Sequence, residues 1–336
     1  MKNVGTYDAG VAGQKGRPIS MRDSAIRSGQ AFLTSELAKR DTLIREPLNS
    51  TTYQRDIDIK VGGGWAKNIN AMNIDFGVTG GSNDGVISAG GANGIPVVQA
   101  NLEDDIYKAH IFNIALRVGW IDAQRENFAG RSLEDLLTDG IRIAYDKHMD
   151  ANVYVGFARY GTSGLLNNPF VTAQNAATGD SGSTQFEGKT ADEILADINS
   201  AIVAAWAASA YDRSAIPNHA LMPYEQYSYI ATQKVSPLAE KTILTFLEEN
   251  NIARKNGSDL FIGATAYCKG TGAANTDRLV VYRNDRKFLG LDELVPLMRS
   301  MTSPNTDAFA YDTIYAANIS EVEVFYTQPI AYRDGI

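Results

Sequence analysis

The chain has 336 residues, of which 44% are hydrophobic and 21% are charged, a composition typical of a globular protein rather than a disordered or fibrous one. Its formal net charge of −8 argues against a protein that coats nucleic acid with its whole surface. The single cysteine, Cys268, cannot form an internal disulfide, and no spacing of cysteine and histidine predicts a metal site. With neither a secretory signal nor an apolar run of membrane-spanning length, the sequence predicts a soluble protein made inside the cell.

The first 30 residues predict a basic arm. Glycines interrupt any hydrophobic periodicity there. The segment contains five basic and two acidic residues, which gives it a net charge of +3. The cations are Lys2, Lys15, Arg17, Arg22 and Arg27. Residues 31–50 then predict a short amphipathic helix that ends at Pro47.

Residues 51–122 have an extended pattern, in which Ile57, Ile59 and Val61 alternate with polar residues. Within them, residues 77–94 carry seven glycines. These are Gly77, Gly80, Gly81, Gly85, Gly90, Gly91 and Gly94. A long hairpin with a flexible glycine-rich part fits this pattern best. The acidic residues 103–105 would lie on alternate faces of a strand, which favours a solvated edge over a catalytic carboxylate pair.

The second half mixes helices and strands without a regular alternation, which predicts an α+β fold. A long helix of about 25 residues begins at Ser132, and the turn GFARYGTSGLLNNP follows it. A capping box at Thr190 and Glu193 predicts another helix, and a third would begin at Ser236. Strand-like segments occur at residues 219–222, 260–262 and 279–282, and the tail SEVEVFYTQPIAYRDGI predicts a closing strand.

The strongest catalytic pattern is Gly179-Asp180-Ser181-Gly182, which resembles the nucleophile segment of chymotrypsin-like proteases. Such chemistry needs a histidine base, and neither His110 nor His148 has the matching local sequence. A surface loop is therefore the favoured interpretation of this segment. No phosphate-binding glycine motif is present, so the sequence predicts no enzyme, no cofactor and no metal.

The order of these segments resembles the HK97-type major capsid proteins of tailed bacteriophages. Residues 132–156 resemble the long spine helix, residues 161–169 resemble the glycine, leucine and asparagine string after it, and residues 328–336 resemble the family ending. The resemblance implies an HK97-like fold with residues 1–30 as the N-terminal arm and 31–50 as a short helix. Residues 51–122 would form the extended E-loop with its supporting strands, 123–190 and 311–336 the peripheral domain, and 191–310 the axial domain.

This resemblance also implies function and partners. The chain would assemble with itself into hexamers and pentamers of an icosahedral phage head, built in the host cytoplasm and found in the virion. The seven glycines would lie in an E-loop on a neighbouring subunit, and the basic arm would contact packaged double-stranded DNA without sequence specificity. A separate scaffolding protein and a portal are the expected partners, and no membrane is.

Three alternatives remain open from the sequence. An encapsulin-like nanocompartment shell would share the fold and enclose enzymes. A hydrolase would use Ser181 as its nucleophile. A carbohydrate-binding surface protein would use the 16 tyrosines, although these are spread along the chain rather than clustered.

Overall fold

The structure is a computed structural model, and the part of the chain that it describes is organised by two β-sheets, one with six strands and one with five. The structure describes residues 51–79, 97–122, 133–236 and 239–336. The predicted arm (residues 1–30), the predicted helix at 31–50 and most of the glycine-rich segment lie outside the described residues. Helices and strands both occupy large parts of the described chain, so the predicted α+β class is confirmed.

The six-stranded sheet has the order β1, β8, β9, β3, β2, with β10 paired to β8. Its strands are β1 (Ile59–Val61), β2 (Asn68–Thr79), β3 (Val97–Gly119), β8 (Leu289–Asn305), β9 (Ala310–Ser320) and β10 (Glu323–Val324). Strand β8 pairs with β9 through several irregularities, one of them between Val295 and Met298. Pro296 lies at this irregularity, and it has no backbone N–H to give to a ladder.

The five-stranded sheet has the order β4, β11, β7, β5, β6. Its strands are β4 (Ala173–Asn175), β5 (His219–Met222), β6 (Phe261–Ala264), β7 (Arg278–Tyr282) and β11 (Ile330–Asp334). All five residues of β7 are buried, because this strand lies in the middle of the sheet. The strands predicted at 219–222, 260–262 and 279–282 are confirmed to within two residues.

Six helices belong to the described chain, apart from single 3-10 turns and a short turn at residues 120–122. They are α1 (Tyr53–Asp56), α2 (Leu133–Tyr154), α3 (Ala191–Ala208), α4 (Tyr224–Thr232), α5 (Ile243–Asn250) and α6 (Ile252–Lys255). Helix α2 buries Ile141, Tyr145, Met149 and Val153, which are four residues apart and therefore share one face. None of the described helices has the length and apolar character needed to cross a membrane.

The sequence predictions for the helix starts had mixed outcomes. The capping box of α3 is present, since the Thr190 hydroxyl accepts from the Glu193 amide and the Glu193 carboxylate accepts from the Thr190 amide. The helix predicted from Ser236 begins instead at Ile243, where Thr242 caps it by accepting from the Thr245 amide. That start was wrong because Thr242 offers a side-chain acceptor to the first turn.

The C-terminal segment forms two short strands instead of the one strand that was predicted. The expected strand through Val322, Val324 and Tyr326 is reduced to β10, and the tail continues as the separate strand β11. Strands β8 and β9 form a hairpin that lies across the predicted domain boundary between residues 310 and 311.

Candidate assembly surface

Strands β2 and β3 form a long two-stranded hairpin, which we call the β2–β3 hairpin. All 12 residues of β2 pair with β3, from Asn68 opposite Lys108 to Thr79 opposite Val97. At the usual rise per residue the paired part is about 40 Å long. The remaining residues of β3, from Ala109 to Gly119, pair with β9 instead, so one strand serves both the sheet and the hairpin.

The two faces of the β2–β3 hairpin differ in chemistry. Residues directly opposite each other in an antiparallel pair share a face, and successive residues alternate between faces. One face carries exposed apolar side chains, which we call the apolar face. Its members are Met72 (73% exposed), Ile74 (54%), Phe76 (67%), Val98 (63%), Leu102 (69%) and Ile106 (61%). The other face carries polar groups, including Asn73, whose amide donates to the Asp105 carboxylate at 2.5 Å.

The base of the hairpin is fixed to the body by several hydrogen bonds. The Tyr107 hydroxyl donates to the Val324 carbonyl at 2.9 Å, and the Lys108 amide donates to the Glu321 carboxylate at 2.8 Å. On the β2 side, the Asn318 amide group donates to the carbonyls of Gly64 and Ala66 at 3.1 and 2.9 Å. These contacts hold the direction in which the hairpin leaves the sheet.

Helix α2 is joined to the segment that leads into the hairpin by a buried polar network. The Asp150 carboxylate accepts from the backbone amides of Thr52 and Tyr53 at 2.9 and 3.0 Å. Asp56 is fully buried, pairs with Arg55 at 2.6 Å and accepts a hydrogen bond from the Tyr154 hydroxyl. Burial raises the pKa of Asp150 and that of the Tyr154 hydroxyl. This network anchors residues 52–56 against the last two turns of α2.

Two sequence strings named above lie in contact. The Tyr332 hydroxyl, in the closing string, donates to the Leu165 carbonyl at 2.6 Å and accepts from the Asn168 amide at 3.2 Å. Arg278 donates to the Leu166 carbonyl at 2.6 Å and lies 4.4 Å above the Tyr332 ring. The GTSGLLNNP turn and the C-terminal string therefore form one packed unit.

The structure brings together few of the residues singled out as sites by the sequence. Gly77 lies near the far end of β2, opposite Gln99, with open space around its Cα. The other six glycines and all five arm cations are outside the described residues, so their assignment to an E-loop and an interior arm stays a prediction. The apolar face was not predicted, although Met72, Ile74 and Phe76 alternate with Asn73 and Asp75, the pattern of a two-faced strand.

The catalytic candidates are dispersed. The Ser181 hydroxyl donates to the Gly188 carbonyl in an exposed loop. His110 stacks on Tyr160, and His148 stacks on Phe157. Burial raises the pKa of the Cys268 thiol, which is fully buried. Across the described ranges, no group of three or more histidine, cysteine or carboxylate side chains could hold a metal ion.

Solved structures show the same fold. The capsid of Myoviridae phage XM1 is 17% identical, with a TM-score of 0.74 over 96% of this chain and 100% of that one. Mycobacterium phage Bobi is 15% identical, with a TM-score of 0.58 over 92% and 97% of the two chains. A virus-like particle from Pyrococcus furiosus is 14% identical, with a TM-score of 0.52 over 85% and 93%. The fold is thus the HK97-like fold of phage capsid proteins.

The family follows from the sequence itself. The model of the family described as "Major capsid protein" matches residues 84–336, which is well over half of the chain. A search of curated proteins found no match. The chain belongs to the major capsid protein family, and its place is in the virion of a phage, as a structural component of the head.

Proposed function

We propose that this chain is the subunit of an icosahedral phage head, in which copies assemble into hexamers and pentamers around double-stranded DNA. The observation that carries the proposal is the apolar face of the β2–β3 hairpin. A two-stranded hairpin is marginally stable alone in water, and soluble monomers rarely expose large apolar patches. A neighbouring copy supplies the cover that the described part of a single chain lacks.

The hairpin corresponds in this proposal to the E-loop. A shell subunit makes heterologous contacts with copies of itself, and an extended hairpin gives these contacts a reach that a compact domain lacks. Gly77 and the further glycines at 80, 81, 85, 90, 91 and 94 would let the far end adapt to both five-fold and six-fold surroundings, because glycine accepts backbone angles that other residues resist.

The assignments of the N-terminal arm, the domains and the assembly partners are supported by the charge of the arm and by the major capsid protein family. The +3 charge of residues 1–30 suits an arm on the shell interior, where it would contact DNA phosphates without reading sequence. We assign residues 123–190 and 311–336 to the peripheral domain and 191–310 to the axial domain. Assembly takes place in the host cytoplasm with a scaffolding protein and a portal as partners.

The alternative within the same fold is a nanocompartment shell of the encapsulin type. The similarity to the Pyrococcus furiosus particle supports it, but the TM-score is 0.52 against 0.74 for the phage XM1 capsid. The contents of particles produced in the native host distinguish the two, since a phage head encloses DNA and a nanocompartment encloses protein cargo.

Assembly of the purified chain tests the proposal. We expect sedimentation and electron microscopy to show rings or shells when scaffolding protein is supplied. Deleting residues 80–91 should leave circular dichroism and a cooperative melt unchanged while particles fail to close. A chain that stays monomeric under every assembly condition contradicts the proposed function, and normal particles from the deletion variant contradict the E-loop assignment.

A further inference from the structure

Residues 62–67, which we call the strap, carry the chain across the six-stranded sheet from β1 to β2. These two strands lie at opposite edges of the sheet path, with β8, β9 and β3 between them. Four strand spacings amount to about 19 Å, and an extended chain from Val61 to Asn68 reaches about 23–25 Å. The strap is thus close to its full reach, so β2 can shift only slightly while the strap stays in place.

Five hydrogen bonds hold the strap to the three strands that it crosses. Strand β8 accepts two of them from strap amides, β9 donates two through the side chain of Asn318, and β3 donates one from its backbone. They join the Gly62 amide to the Glu293 carbonyl (3.0 Å), the Gly64 amide to the Leu294 carbonyl (3.1 Å), Asn318 to the carbonyls of Gly64 (3.1 Å) and Ala66 (2.9 Å), and the Ala109 amide to the Lys67 carbonyl (2.9 Å). Asn318 therefore supplies both bonds that hold the middle of the strap.

The path of the strap depends on three consecutive glycines. Gly62, Gly63 and Gly64 have φ values of +122°, +127° and +69°, which other residues rarely adopt. At Gly63 a Cβ would also come within 2.5 Å of the Leu294 side chain, whereas Gly62 and Gly64 have open space around them. An alanine in place of Gly62 would therefore strain the backbone of the strap without crowding any neighbouring group.

The strap itself is mostly exposed. Of its six residues only Ala66 is half-buried, and its one large apolar side chain, Trp65, is 53% exposed. A segment that is held by hydrogen bonds and buries little apolar surface opens locally at a low cost in free energy. Asn318 is 1% exposed, and its Oδ1 atom has no hydrogen-bond partner among the described residues. The side chain that holds the strap is thus only partly satisfied, which lowers the net stability of the closed strap.

We propose that the strap is a releasable restraint on the β2–β3 hairpin, and that Asn318 is the residue that keeps it closed. While the strap is closed, β2 stays tied to β8 and β9, and the hairpin keeps one direction. When the strap opens, β2 follows the bending of β3, and the hairpin reaches a wider range of directions. The inference rests on the proposed function, because subunits in rings of five and of six meet their neighbours at different angles.

Hydrogen exchange of the full-length chain tests the restraint. Gly62→Ala strains the strap, and Asn318→Asp turns a carboxylate oxygen towards the two strap carbonyls. We expect each change to raise the exchange rate of the amides in residues 62–67 roughly fivefold. The matched control is Gly257→Ala, because Gly257 also has a positive φ, +84°, and open space around it, but lies after α6. Since Gly62 is exposed, the test does not depend on normal folding of Asn318→Asp.

Distances between spin labels on unassembled subunits measure the direction of the hairpin. One label replaces Gln99 near its far end and the other replaces Lys147, an exposed residue of α2, while native Cys268 is fully buried. We expect a broader distance distribution with Gly62→Ala than with Gly257→Ala. An unchanged exchange rate or an unchanged distribution in Gly62→Ala overturns the strap proposal and leaves the proposed function intact. Wild-type chains that form no particles overturn the proposed function itself.

Discussion

Arg278 and Asp334 lie directly opposite each other on neighbouring antiparallel strands and form a buried ion pair with two hydrogen bonds. The Nε atom donates to Oδ1 at 2.6 Å, and an Nη atom donates to Oδ2 at 2.8 Å. Because Arg278 also holds the Leu166 carbonyl, this pair fastens the turn after α2 to the last strand of the chain.

Asp334→Asn should therefore destabilise the subunit strongly. It leaves the Arg278 guanidinium buried without a counter-charge and with one acceptor oxygen in place of two, and breaking a buried pair in this way costs about 3–5 kcal/mol. Denaturant unfolding of the isolated subunit measures the change. The control is Arg117→Gln, which breaks the exposed pair with Asp312 and should leave the unfolding midpoint unchanged. Equal losses in the two variants would contradict the assigned role of the buried pair.

The same pair predicts a response to acid. Burial raises the pKa of Asp334, but the hydrogen bonds from Arg278 lower it, and the net direction is downward. A carboxyl group with a lowered folded pKa contributes stability above its unfolded pKa of about 3.9 and loses that contribution as the pH falls below it. Unfolding measured from pH 5 downward should show a steeper loss in the wild type than in Asp334→Asn.

Two histidines predict a second loss of stability on acidification, in a pH range above that of Asp334. Burial lowers the pKa of His148, and it lowers the pKa of His219 to about 4. The unfolded chain, with a histidine pKa of about 6.5, then binds protons more readily than the folded one, so stability falls as the pH drops from 6.5 towards 4. For His219 alone this loss is on the order of 3 kcal/mol at most. His219→Gln should flatten the dependence of the melting temperature on pH in this window, and an unchanged slope would contradict the prediction.

Gly156, the second residue after the end of α2, predicts a steric effect. Its φ of +72° favours glycine, and a Cβ there would come within 2.7 Å of the Thr162 carbonyl oxygen and of the Ser163 backbone. Gly161 has nearly the same φ, +71°, but open space around it. Gly161→Ala should cost about 1 kcal/mol from backbone strain alone. Gly156→Ala adds the clash and should lower the melting temperature clearly further, and similar losses would argue against the close packing of this turn.

The two faces of the hairpin predict different effects on assembly. Leu102→Ser removes an exposed apolar side chain from the apolar face, so it should weaken assembly without changing the stability of the subunit. Gln99→Ser, on the other face of the same strand, is the control. Light scattering during assembly and thermal melting of the subunit are the two measurements. Equal assembly of the two variants would show that the apolar face is not an interface.

The sequence predicted the elements whose signals are local. Helix α2 was recognised from its apolar spacing, and α3 from the capping box of Thr190 and Glu193, because these patterns depend on residues three or four positions apart. The order of the segments was enough to identify the HK97-like fold. The contact between the GTSGLLNNP turn and the closing strand depends on residues more than 100 positions apart, such as Asn168 and Tyr332, and a local pattern does not contain it.

For other features the sequence pattern was misleading or absent. Strand β8 contains Pro296 and Pro304, which argue against a strand, yet the irregular pairing with β9 accommodates Pro296 where the ladder is interrupted. Asp104 belongs to the acidic residues 103–105, which were predicted to form a solvated edge. Only the pairing of β3 with β2 shows that Asp104 lies on the apolar face of the hairpin.

Strand β3 runs without interruption from the hairpin into the six-stranded sheet, and this continuity limits how the hairpin can move. At Lys108 the strand exchanges one partner, β2, for another, β9, while its backbone stays extended. A flap on a flexible pivot could change direction at one point, but a continuous strand distributes bending and twist along its length. A force applied to the far end is thus transmitted into β9. Subunits in different surroundings would then differ by a graded twist of one shared strand, which couples the curvature of a shell to the shape of each subunit's own sheet.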